Sequence, residues 1–146
     1  MNTNKNNTQL PQSSVSVSVT DVRYGNLINH VSFGTVPIRG IAIDGLKTEY
    51  KDSFYWDDLK YHTGIPITEE LLLKLGFEVI YRSNFTLRLD HKENFKFGAR
   101  WNLVNGHFHI RFIGEQFANI KCIHELQNLY FSITGSELQI VSLTEH

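Results

Sequence analysis

His107 and His109 lie two residues apart in a stretch that reads as a strand, so both imidazoles would share one face. That spacing is workable for metal ligands, with Asp90 or His91 of the adjoining turn as a third donor. Two histidines are a thin donor set, and neither a metal nor any other cofactor is expected. The remaining chemical pairs have simpler local explanations. Glu69-Glu70 opens a helix, where carboxylates complement the positive end of the helix dipole. Asp57-Asp58 are neighbours whose side chains diverge, which suits a loop cap better than acid/base work. Cys122 is the single cysteine and falls in an apolar helical pattern, so it reads as inert core. It also excludes an internal disulfide and any paired-cysteine zinc motif. No glycine-rich phosphate loop, nucleophile elbow or zinc-protease helix occurs. The chain is not expected to be an enzyme.

Charge is distributed unevenly. Residues 80–122 carry seven Lys/Arg against three Asp/Glu, whereas residues 40–78 carry four against eight; the overall charge of −1 conceals the contrast. The basic part alternates with period two. Phe85, Leu87 and Leu89 alternate with Thr86 and Arg88, and Phe95, Phe97, Ala99, Trp101 and Leu103 alternate with Lys96, Gly98, Arg100 and Asn102. Asn105-Gly106 is a strong hairpin signal, because both turn positions require positive φ. A two-residue loop there sets Trp101 opposite Ile110, Arg100 opposite Arg111 and Asn102 opposite His109. Arg88, Lys96, Arg100, His109 and Arg111 then share one face of the sheet. Such a face binds phosphates of RNA or DNA, or an acidic protein surface.

Several elements must position these residues. Val15, Val17 and Val19 alternate with polar residues, and short strands are expected at 27–33, 38–43, 48–50 and 54–56 with glycine turns between them. That pattern suggests a small SH3-like β-barrel. A short helix follows Pro66, capped by Thr68 and closed by Gly76. Ile120, Ile123, Leu126 or Gln127, Tyr130 and Ile133 form one apolar stripe. They predict a long C-terminal helix with Asn119 as N-cap and Gly135 as C-cap, followed by a short strand from Ser136. The expected class is α+β: the barrel segment, the short helix, an antiparallel meander packed on the long helix, and a final strand. Residues 1–14 read as a polar disordered tail, and 15–146 as one domain with subregions 15–64 and 65–146.

With 146 residues, 41% of them hydrophobic and 12% aromatic, the chain can bury a core. It has no apolar run long enough to cross a membrane, and its start lacks the apolar core of a signal peptide, so a cytoplasmic location in a host cell is expected. Two longer strings carry a resemblance. Ile65-Pro66-Ile67-Thr68-Glu69-Glu70-Leu71-Leu72-Leu73-Lys74-Leu75-Gly76-Phe77 is one. Ile123-His124-Glu125-Leu126-Gln127-Asn128-Leu129-Tyr130-Phe131, with Thr134-Gly135 and Glu137-Leu138, is the other. Val22-Arg23-Tyr24-Gly25-Asn26-Leu27 agrees with them. Together they resemble small proteins of phages, prophages and mobile elements of Bacteroidota, over about residues 21 to 141. Leu71-Leu72, where an aromatic is common, and the longer polar N-terminus depart from that pattern. The resemblance implies a phage or mobile-element setting and a fold, not an activity; with no catalytic constellation in the residues, the expected function is a non-catalytic interaction protein, in its sharpest form, by analogy of setting, an inhibitor of a CRISPR-type host-defence complex. Its partner would be a host or phage protein complex; the first alternative is a nucleic-acid-binding module using the basic face, and a small metal-dependent enzyme comes last.

Overall fold

The computed structural model describes residues 15–81, 84–89, 92–102, 107–112, 115–117 and 120–138. Between residues 80 and 119 it describes backbone and pairing, with burial only at Gly98, Ala99, Phe108 and Ile110. The tail at 1–14, the turn at 103–106, Asp90, His91, Asn119 and the chain from 139 onward therefore lie outside the described residues. The class is α+β, and the chain divides into two compact units, one ending at Pro66 and the other beginning at Ile67.

The first unit is an antiparallel sheet. Its strands are β1 (Val15–Ser16), β2 (Leu27–His30), β3 (Gly34–Ile41), β4 (Gly45–Tyr50), β5 (Ser53–Asp58) and, after a 3-10 turn at Leu59–Tyr61, β6 (His62–Gly64). They lie in the order β1-β6-β2-β3-β4-β5. Val17, Val22, Ile28, Val36, Ile38 and Leu46 form its core, with Ile28 in β2 and Val36 and Ile38 in β3 alternating inward. The N-terminal alternation yields only two residues of strand, because the chain turns where the Asp21 N–H donates to the Ser18 carbonyl.

Curvature comes from β3. Ile38 pairs with Thr48 and Gly40 with Lys47, so Arg39 is an extra residue that forms a bulge. Bulges increase local twist. The sheet bends enough for Asp57 on β5 to reach His30 on β2, although β3 and β4 lie between them in strand order. The strand order nevertheless has two edges, β1 and β5, so the sheet of the expected SH3-like barrel is not closed among the described residues. Gly45 is required where β4 meets β5, since a Cβ there would sit 2.6 Å from the Asp57 carbonyl oxygen.

The second unit starts with α1 (Glu69–Lys74). Thr68 Oγ1 accepts from Leu71 N–H, Gly76 takes φ 94°, and Phe77 N–H donates back to the Leu72 carbonyl, all as the local sequence requires. A five-stranded antiparallel meander follows: β7 (Glu78–Tyr81), β8 (Asn84–Leu89), β9 (Lys92–Asn102), β10 (His107–Phe112) and β11 (Glu115–Phe117). The last element is α2 (Ile123–Thr134).

Two expectations are corrected. The last described pair of the β9–β10 hairpin is Asn102 with His107, so Trp101 faces Phe108 and Ala99 faces Ile110. The slip is two residues, which keeps the same phase of alternation along both strands, so hydrophobic pattern alone cannot distinguish the two registers. Ala99, Phe108 and Ile110 are all buried, as that face requires. Helix α2 starts at Ile123 rather than near Ile120. Glu125 Oε1 accepts from the N–H groups of Lys121 and Cys122, and the Lys121 carbonyl is committed to Ile67 N–H, which keeps 120–122 out of the helix. Gly135 ends it with φ 73°.

Candidate functional site: an aromatic edge strand over a histidine–aspartate cluster

Strand β5 is an edge that exposes three consecutive aromatics. Phe54 and Trp56 face outward and are 58% and 56% exposed. Phe54 pairs with Glu49 and Trp56 with Lys47, so alternation puts rings beside charges. The Lys47 ammonium lies 5.3 Å from the Phe54 ring centre and 5.6 Å from that of Trp56, within cation–π range. Trp56 can lie against the sheet because Gly40 has no side chain there. Further along, Arg39 Nε donates to Glu49 Oε1 at 2.8 Å while its guanidinium lies 5.3 Å from the Tyr24 ring centre.

The other phase of β5 points inward. Tyr55 meets Phe33, whose ring stacks between His30 at 4.2 Å and Tyr50 at 4.5 Å. His30 Nδ1 accepts from the backbone N–H groups of Ser32 and Phe33, at 3.0 and 3.3 Å. This hydrogen-bond pattern assigns the ring proton to Nε2, which donates to Asp57 Oδ2 at 2.9 Å.

His62 completes the cluster, edge-on to His30 with ring centres 5.1 Å apart. It is 2% exposed, and neither ring nitrogen has a hydrogen-bond partner. Burial above all, and then the His30 ring, lowers its pKa. The Asp57 carboxylate and the nearby carbonyls of Asp58 and Leu59, which lie outside good hydrogen-bond geometry, only partly oppose that. One donor atom from each of His30, Asp57 and His62 falls within 4.8 Å of the others. Open cavities flank them: one of about 260 Å³ lined by His62, Thr63, Lys60 and Ser16, and one of about 250 Å³ lined by Asp57, Trp56 and Asp44.

The residues singled out in the sequence lie elsewhere. Arg88 pairs with Lys96, His109 with Arg100, and Arg111 with Gly98, so register alone puts all five basic positions on one sheet face. Arg100 is opposite His109 rather than Arg111, a consequence of the two-residue slip. His107 and His109 share that face of β10, while Asp90 and His91 lie outside the described residues. Of the aspartate pair, Asp58 does cap the 3-10 turn, accepting from Lys60 N–H at 3.0 Å. Asp57, which reads as an ordinary neighbour, instead turns inward to His30. His30 was detectable in principle, because it shares the phase of Ile28. His62 follows a 3-10 turn, where no periodicity marks it.

Comparison with known protein families, characterised proteins and solved structures gives no match. No helix among the described residues is long and apolar enough to cross a membrane.

Proposed function

We propose that this chain is a non-catalytic interaction protein that docks a protein partner along β5. The exposure of Phe54 and Trp56 on an edge strand carries the proposal. An unpaired strand edge offers backbone donors and acceptors that an extended segment of another protein satisfies, and alternating side chains give selectivity. Lys47 between the two rings suits a carboxylate, so the docked segment is acidic. The finer form of this unit is a small SH3-like barrel. The β2–β5 meander, the 3-10 turn and the return of β6 beside β2 support it. The resemblance to small phage and mobile-element proteins of Bacteroidota supplies the setting, a bacterial cytoplasm in which the chain inhibits a host-defence effector complex.

The test is capture from a bacterial host lysate on the tagged chain, with and without nuclease. A nuclease-resistant protein partner, lost in the Phe54→Ala/Trp56→Ala variant with its circular dichroism unchanged, is expected. Capture indifferent to that variant overturns the β5 surface. A second reading, nucleic-acid binding through Arg88, Lys96, Arg100, His109 and Arg111, is favoured by one observation: register puts like charges directly opposite at Arg88 and Lys96, an arrangement an intervening anion relieves. Nuclease-sensitive capture abolished by Arg100→Glu/Arg111→Glu would select it.

A further inference from the structure

The geometry points to a divalent-metal site of the zinc class in which His62 and Asp57 are the protein ligands and His30 holds the carboxylate in place. The donors are borderline nitrogen and oxygen, the set that zinc accepts. The orphaned imidazole is the leading observation. His62 is almost wholly buried, yet both its nitrogens lack partners, a state native structures avoid unless an ion or water completes it.

His30 cannot be a ligand as it stands. Its Nδ1 already accepts two backbone N–H groups, and its Nε2 proton points at Asp57. The same contact leaves Asp57 Oδ1 free to ligate, and a hydrogen bond from outside the ligand set is the usual means of orienting a metal-bound carboxylate. Tetrahedral zinc holds its ligands about 3.4 Å apart, and the donor atoms of the cluster already lie within 4.8 Å of one another, so the site closes with a small movement. Water from the cavity beside His62 fills the remaining positions, and Lys60, which lines that cavity, rests its ammonium over the Tyr61 ring. With two protein ligands the site is one of modest affinity.

Zinc chloride added to the full chain is the probe, read by calorimetry and by the ¹⁵N shifts of histidine ring nitrogens. One-to-one, chelator-reversible binding that moves the His62 nitrogens is expected. Asp57→Asn and His62→Gln should abolish it, and His107→Ala/His109→Ala should not. His30→Phe should weaken it by about 10- to 100-fold, the usual effect of losing a hydrogen bond to a ligand. Unmoved His62 resonances in the wild-type chain, absence of saturable binding, or loss in the His107/His109 variant instead would overturn the site. Complete loss in His30→Phe would overturn the role given to His30.

Discussion

A thiol, a carboxylate and two imidazoles carry the informative chemistry of this chain, and their environments differ from what their neighbours in sequence suggest. Cys122 is buried as its apolar run suggests, although it caps α2 instead of lying within the helix. It sits in an apolar run, it is fully buried, and burial first, then the Glu125 carboxylate, push its thiol up to about 12. The folded value lies above the unfolded one, so Cys122 adds stability that is whole below about pH 8.5 and is lost as pH rises toward the folded value. At pH 8 its thiolate population is on the order of a thousandfold below that of an ordinary thiol. Iodoacetamide should therefore label the native chain very slowly at pH 8 and rapidly once urea unfolds it; fast labelling without denaturant would contradict the burial. The histidine–aspartate cluster was not readable in the same way. His30 and Asp57 are 27 residues apart, and only the bend of the sheet brings them to 2.9 Å.

At the scale of elements, what is locally determined was readable and what depends on distant partners was not. Thr68, the two glutamates and Gly76 lie within one short segment and fix α1 without help. The beginning of α2 depends on Ile67, far away in sequence, and is displaced accordingly. Hairpin register shows a third behaviour, since alternation fixes the face but leaves shifts of two residues open. The turn between β4 and β5 lacks a sequence signal for a different reason. Lys51 and Asp52 adopt φ of 51° and 63°, a geometry usually given to Asn-Gly, with neither residue a glycine. Left-handed backbone is costly for ordinary residues, and glycine removes most of that cost, offset in part by the greater entropy it gives the unfolded chain. Asp52→Gly should thus raise stability by about 0.5–1 kcal/mol, seen as a higher urea midpoint. A lower midpoint would mean that the Asp52 side chain contributes more than its backbone strain removes.

For the whole molecule, composition and periodicity were enough to assign an α+β chain, and the backbone register places the five basic positions in one phase of the meander. They did not single out β5. Phe54, Tyr55 and Trp56 in a row look like core to any hydrophobicity count, and only the sheet order reveals that the strand is an edge. Two surfaces in two units therefore compete for the partner: aromatic in the first, basic in the second. Hydrogen–deuterium exchange of the free chain and of the chain in its captured complex separates them directly, because docking along β5 must engage the backbone amides of that strand. Amides of Ser53–Asp58 are expected to slow by about tenfold or more in the complex, with those of Asn84–Leu89 and His107–Phe112 unchanged. Slowing confined to β8–β10, with β5 exchanging as in the free chain, would contradict docking at the aromatic edge.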